Sequence, residues 1–97
     1  MTEKQKELAE QIGLFYLAKN GGDYIKTREE IERLGIKDIL PVKDIAIIWT
    51  TRPGLLIGKR GKNILALEYF IHYKIHIIEE MDDILDYLIP IELEDLE

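Results

Sequence analysis

The sequence predicts one small domain of the α+β class, and three observations support this prediction. The chain has 97 residues, a length that allows one compact core. Apolar residues recur at helical spacing in some segments, whereas others are rich in the β-branched and aromatic residues that favour strands. In order, these segments read helix, helix, possible short strand, strand, helical turn, loop, helix, strand and helix.

The first predicted element is a helix from about Lys4 to Lys19. The run from Asn20 to Asp23 ends it, because its two glycines readily adopt the left-handed conformation of a helix end. A second helix is predicted to begin at Thr27, where the run from Thr27 to Glu30 has the form of a capping box, and to end at Gly35. The side chains of the first helix expected to face the core are Leu8, Ile12, Leu14, Phe15, Leu17 and Ala18.

The middle of the chain is predicted to be mainly extended. A possible short strand runs from Ile36 to Leu40, and Pro41 closes it. The segment from Lys43 to Thr51 is rich in β-branched and aromatic residues and predicts a second strand. Arg52-Pro53-Gly54 interrupts that strand, and the apolar run from Leu55 to Ile57 is long enough for one helical turn.

Three more elements are predicted towards the carboxyl end. A helix is expected from Lys62 to about Ile71, and a strand from Tyr73 to Ile78. A final helix is expected to begin at Asp82 or Asp83 and to end at Pro90. We expect the last few residues to form a loose tail.

The charge of the chain is unevenly distributed. The net charge is −6, but nine acidic residues and no Lys or Arg lie between Glu79 and Glu97. The first 78 residues therefore hold ten acidic residues against all 13 basic ones. This mildly basic part is compatible with a polyanionic partner, although the total charge argues against one.

Several classes of protein are disfavoured by the composition. Cysteine is absent, which excludes a disulfide framework and a thiolate nucleophile or metal site. Residues 2–6 are charged where a signal peptide needs apolar residues, and no apolar run approaches the roughly 20 residues of a membrane span. We therefore expect a cytoplasmic protein with no membrane association, no cofactor and no enzymatic activity.

The segment from Arg52 to Ile64 carries the functional prediction. Within it, Gly58 and Gly61 bracket two long basic side chains, and a helix is predicted to start directly afterwards. Glycine lets a sugar-phosphate chain approach closely, and the free N–H groups at a helix start attract phosphate. The hypothesis depends on these amide hydrogens being unpaired. The cations expected nearby are Lys59, Arg60, Lys62 and Arg52.

Two other glycine motifs do not fit this segment. A phosphate-binding P-loop needs a longer gap than that between Gly54 and Gly58, and Arg60 stands where its hydroxyl side chain would be. The dinucleotide-binding motif needs a glycine two residues before Gly58, which is absent. An ordinary connection between two helices remains an open alternative for the four residues taken alone.

The run Arg52-Pro53-Gly54-Leu55-Leu56-Ile57-Gly58-Lys59-Arg60-Gly61, preceded by a predicted strand, resembles a type II KH domain. It is most similar to the KH domain of small-subunit ribosomal proteins and more distantly to those of NusA and the Era GTPase. The resemblance implies a small sheet with helices packed on one face. The expected division is a helical extension over 1–26, a KH-like core over 27–80, and an acidic helix and tail over 81–97, with the first and last outside the family pattern.

The resemblance also implies a function and a site. A KH domain clamps about four nucleotides of single-stranded RNA, with its GXXG loop on the nucleic-acid backbone. Single-stranded DNA remains an alternative ligand. Ile57 and Ile64 would line an apolar groove whose opposite wall is the strand around residues 75–77, with His76 facing it. The expected RNA-binding residues are Gly58, Lys59, Arg60, Gly61, Lys62, Arg52, Ile57, Ile64 and His76.

Other readings concern residues outside the loop. Trp49 and Tyr73 have the chemistry for base stacking, but half-buried aromatic positions on a sheet explain them more simply. His72 and His76 have no evident third ligand, so a metal site is not expected. A competing hypothesis is a protein–protein adaptor that uses the acidic segment from Glu79 to Glu97, either on a basic partner or folded back over the loop.

Overall fold

The computed structural model describes residues 1–80 and has the α+β fold that the sequence predicts. The predicted final helix at Asp82 or Asp83 and all of the acidic segment after Glu80 lie outside the described residues. None of the described helices is long and apolar enough to cross a membrane. The elements are α1 (Glu3–Lys19), α2 (Tyr24–Leu34), β1 (Ile36–Val42), β2 (Ile45–Thr50), α3 (Pro53–Ile57), a 3-10 turn (Lys59–Gly61), α4 (Lys62–Ile71) and β3 (Lys74–Glu79).

The three strands form a mixed sheet in the order β1-β2-β3. β1 and β2 pair antiparallel, whereas β2 and β3 pair parallel. Parallel strands need a connection that carries the chain back to its starting end. Here α3, the 3-10 turn and α4 supply that connection, so the glycine loop lies in the middle of the crossover between β2 and β3.

The helices cover one face of the sheet. In β2, Ala46, Ile48 and Thr50 are buried, whereas Ile47 and Trp49 alternate with them on the other face. Ala46 and Ile48 belong to the hydrophobic core, which also takes side chains from α1, α3 and α4. The expected arrangement of helices packed on one face is therefore present.

Helix α1 buries a narrower stripe than the sequence predicts. Leu8, Ile12 and Tyr16, spaced four residues apart, are its buried side chains. Leu14 is 49% exposed and Ala18 is also exposed, so their predicted core positions were wrong. Tyr16 was missed because a tyrosine is usually half-buried, and here its hydroxyl finds a partner inside the fold, as described below.

The start of α2 also differs from the prediction. Asp23 is its N-cap, and the Asp23 side chain accepts a hydrogen bond from Lys26 N at 3.0 Å. Thr27 lies inside the helix, where its hydroxyl donates to Asp23 O at 2.7 Å, so the predicted N-cap at Thr27 was wrong.

The end of β1 differs from the prediction as well. β1 continues past Leu40 through Pro41, because an edge strand tolerates a residue without an N–H.

Candidate nucleic-acid interface

The loop has the backbone conformation that its glycines permit. Gly58 has φ 77° and ψ 173°, Arg60 has φ 58°, and Gly61 has φ 74°. Positive φ is readily adopted by glycine and is uncommon for other residues. The predicted arrangement of a short helix, a glycine-bracketed loop and a second helix is confirmed, with α3 before the loop and α4 after it.

The two glycines differ in what surrounds them. A Cβ atom on Gly58 would lie 2.6 Å from Asn63 Cβ, which is too close for any side chain. A Cβ atom on Gly61 would meet nothing within 4 Å. Gly58 is therefore required by both its backbone angles and its contact with α4, whereas Gly61 is favoured by its backbone angles alone.

The amide hydrogens of both glycines are already used within the protein. Gly58 N–H donates to Gly54 O at 2.9 Å, and Gly61 N–H donates to Gly58 O at 3.1 Å. The N–H of Lys62 donates to Lys59 O. A helix end and a tight turn satisfy their own donors in this way. The hypothesis that the two glycine amides are free to bind phosphate is thus wrong, and binding here would need other groups of the loop, such as the exposed side chains of Lys59 and Arg60.

The loop's basic side chains are exposed and have no ion-pair partner among residues 1–80. Lys59, Arg60 and Lys62 are all exposed. None of the ion pairs found within residues 1–80 involves them. Three cations within four residues of sequence therefore remain available to an anionic ligand.

Arg52 is not placed with these three cations. It precedes α3, whereas the loop follows it, and five helical residues separate the two. Arg52 lines a separate polar depression that contains Glu29 and Glu32. The depression also contains Arg33 and Lys37 and no residue of the loop, so Arg52 lies on a mixed-charge surface separate from the loop.

Asn63 fixes the loop from behind, and sequence reasoning missed it. Its Nδ2 donates to Tyr16 Oη at 2.9 Å and to Leu56 O at 2.8 Å. Its Oδ1 accepts from Lys19 Nζ at 3.3 Å. Asn63 therefore ties α3 and α4, which flank the loop, to α1. Its position two residues after Gly61 suggested a role at the loop. The sequence could not reveal its partner, because Tyr16 lies 47 residues away.

A second group of polar side chains extends this network to α2. Glu30 accepts hydrogen bonds from Lys19 Nζ at 2.8 Å and from Asn20 Nδ2 at 2.9 Å. Burial alone would raise the pKa of Glu30, but those hydrogen bonds and the positive charges of Lys19 and Arg33 hold the pKa below its ordinary value. Lys19 is thereby fixed in place, unlike the loop lysines.

Tyr16 stays neutral in this network. Burial raises the pKa of its hydroxyl, and the charge of Glu30 acts in the same direction, whereas the hydrogen bond from Asn63 opposes them. A neutral hydroxyl can both accept from Asn63 and donate to another group. The network therefore keeps one arrangement over the physiological pH range.

The residues predicted to line an apolar groove on the β3 side differ in exposure. Ile57 is exposed and Ile64 is half-buried beside the loop. Ile75 and Ile77 pack against the core. The carboxylate of Glu68 in α4 accepts from Ile75 N at 2.8 Å, so it joins α4 to the edge of β3.

His76 lies on the other side of the sheet from these residues. It pairs with Ile47 in the register of β2 and β3, and paired residues share a face. Ile47 is on the face opposite the helices, so His76 is not brought together with Ile57 and Ile64. The period of two along a strand explains the error, because a shift of one residue changes the face.

The remaining predicted residues have structural roles or lie outside the described part. Tyr73 is half-buried against the core, as the simpler reading expects, and Trp49 is half-buried on the outer face of the sheet. Over residues 1–80 no cluster of three potential metal ligands exists. The adaptor hypothesis concerns the acidic segment, nearly all of which is outside the described residues, and it stays a prediction.

Comparison with known proteins identifies a family. A family model for the KH domain matches residues 23–95. This span includes most of the acidic segment, whereas α1 precedes the match. No curated protein and no solved structure matches the chain.

Proposed function

This chain belongs to the KH domain family, and we propose that it binds single-stranded RNA at the loop Gly58–Gly61. KH domains generally bind single-stranded RNA through such a loop. The α2–β1 unit ahead of β2 supports the finer assignment to the type II arrangement. The observation that carries the proposal is the group of three exposed cations at the turn, Lys59, Arg60 and Lys62, which form no ion pair with another described residue.

The loop would act through side chains and through the shape of its backbone. Lys59 and Arg60 lie between the two glycines and would each contact a phosphate oxygen, with Lys62 adding a third contact at the start of α4. Gly61 has open space where a side chain would stand, so the sugar-phosphate chain can approach the backbone there. The turn presents the cations, and the Asn63 network holds the turn.

The test is a double charge reversal, Lys59→Asp with Arg60→Asp. Both side chains are exposed, and Asp tolerates the left-handed conformation of residue 60, so the fold should persist. We expect affinity for a single-stranded RNA oligonucleotide to fall by about 100-fold or more. Wild-type binding should show a log–log salt slope of roughly −2 to −3, as three or four phosphate contacts to a single strand require.

A matched control carries the same charge change at the far end of the molecule. Lys4 is exposed at the other end of α1 from Lys19, and Lys43 is exposed with φ 57°, close to that of Arg60. The Lys4→Asp, Lys43→Asp variant should retain RNA binding within about threefold, because only screened long-range charge changes. Equal loss in both variants would remove the loop from the mechanism. A DNA oligonucleotide of the same sequence reveals whether the 2′-hydroxyl is read.

A further inference from the structure

A second surface suited to nucleic acid borders the loop on its α1 side. A depression of about 670 Å³ lies between α1 and α4 and includes Gly58 and Lys59 of the loop. We call it the α1–α4 groove. Its apolar side chains are Phe15, Ala18, Leu55, Ala66 and Phe70, and its polar ones are Lys19, Lys59, Lys62 and Asn63.

The apolar part of this groove is open to a ligand. Phe70 is 39% exposed and Leu55 is 50% exposed. Phe15 meets Phe70 in an edge-to-face contact with ring centroids 5.7 Å apart, which supports the Phe70 ring from one side. An exposed aromatic ring beside aliphatic side chains is a surface on which a nucleobase stacks.

The charges around the groove favour an anion. No acidic side chain lines it, and Lys59 and Lys62 stand at its rim without ion-pair partners within residues 1–80. The charged residues of a comparable apolar groove between α1 and α2, of about 510 Å³, are Glu10, Glu32 and Arg28, and Arg28 is ion-paired with Glu32 at 3.2 Å. Two grooves of similar size and apolar character thus differ in charge, and only the α1–α4 groove is electrostatically suited to a nucleotide.

We propose that the α1–α4 groove binds a base of the RNA strand next to the nucleotides held at the loop. The base would stack on Phe70, and Lys62 would contact the phosphate that links this nucleotide to those held at the loop. This inference rests on the proposed function of the loop, since Gly58 and Lys59 belong to both surfaces and a strand can pass from one to the other. One wall is α1, which precedes the region matched by the family model, so Phe15, Ala18 and Lys19 are contributed from outside that region.

The experiment compares RNA oligonucleotides of four and eight nucleotides. Phe70→Ala should weaken binding of the eight-nucleotide RNA by about 10-fold, the loss expected for one stacked base, and leave the four-nucleotide RNA nearly unchanged. Tyr69→Ala is the matched control, because Tyr69 is the adjacent aromatic residue, is 84% exposed and does not line the groove. Tyr69→Ala should change neither affinity.

A second variant keeps the proposal testable if loss of the Phe15–Phe70 contact unfolds the domain. Ala66→Glu places a carboxylate in the groove at an exposed helical position. Leu65→Glu is the control, because Leu65 is also exposed on α4 but does not line the groove. An eight-nucleotide RNA binds somewhat more tightly than a four-nucleotide RNA simply because it offers more positions at which the loop can bind. We expect Ala66→Glu to abolish any preference for the longer RNA beyond this statistical gain, and Leu65→Glu to leave the preference unchanged. Thermal unfolding of each variant shows that it is folded.

The outcomes separate this inference from the function on which it rests. If Ala66→Glu and a folded Phe70→Ala bind both RNAs as the wild type does, while the Lys59→Asp, Arg60→Asp variant binds neither, the groove proposal is overturned and the loop function stands. If the wild type binds neither RNA, both proposals are overturned. Loss confined to the longer RNA in the groove variants supports the inference.

Discussion

The basic residues of the loop and Lys19 behind it differ in whether the fold holds their side chains. Lys19, at the end of α1, is held by Glu30 at 2.8 Å and by Asn63 at 3.3 Å. Lys59 and Arg60 are exposed, and none of the ion pairs among residues 1–80 includes them. The difference indicates a division of roles: Lys19 positions the helices, whereas the loop cations, which have no ion-pair partner in the described part of the chain, can contact a ligand. The predictions below test this division.

The largest effect is expected from a side chain at Gly58. Gly58→Ala should lower the free energy of unfolding by about 3 kcal/mol, because an essentially glycine-only conformation is combined with a clash against Asn63 Cβ. Gly61→Ala should cost only about 1 kcal/mol, since its surroundings are open. Urea unfolding measures both. Equal losses would show that the contact with Asn63 does not constrain the loop.

A smaller but clear effect is expected when Asn63 is truncated. Asn63→Ala removes the donor to Tyr16 Oη and Leu56 O and should destabilise the domain by about 1–3 kcal/mol. RNA affinity should fall too, although Asn63 is not proposed to contact RNA, because the loop loses its support. Tyr16→Phe is the control, as it leaves the bond from Asn63 to Leu56 O in place and should cost less. Unchanged RNA affinity in stable Asn63→Ala protein would contradict the positioning role.

The smallest effect concerns pH and the Lys19–Glu30 pair. The folded-state pKa of Glu30 is lowered, so the pair contributes stability above the ordinary carboxyl pKa and loses it as pH falls through the lowered value. The contribution should stay below about 1 kcal/mol, as for other partly exposed ion pairs. Urea unfolding between pH 7 and pH 3 should show a smaller acid-side loss in Glu30→Gln than in the wild type. Glu29→Gln, exposed on the same helix, should behave as the wild type.

Local features of this fold could be predicted from the sequence. The glycine spacing around Lys59 and Arg60 predicted the loop and its flanking helices, because backbone freedom at a glycine is a property of the residue itself. The β-branched runs predicted β2 and β3 for a similar reason. These signals require no knowledge of distant contacts.

Features set by distant contacts could not be predicted. The pairing of Asn63 with Tyr16 depends on how α1 packs against α4, and the face of His76 depends on the register of β3 with β2. Asp23 and Thr27 are both good N-cap residues, so sequence alone did not decide between them. The glycine amides were misjudged because the hydrogen bonds that close the end of α3 became evident only in the folded chain.

The most direct test of the central claim is an NMR titration of ¹⁵N-labelled protein with a single-stranded RNA of eight nucleotides. Binding through free loop cations predicts that the largest changes in amide chemical shift fall on residues 58–62, with smaller changes along the Lys62–Phe70 side of α4. Changes centred on the α1–α2 groove, or no changes at RNA concentrations well above those of the protein, would contradict it.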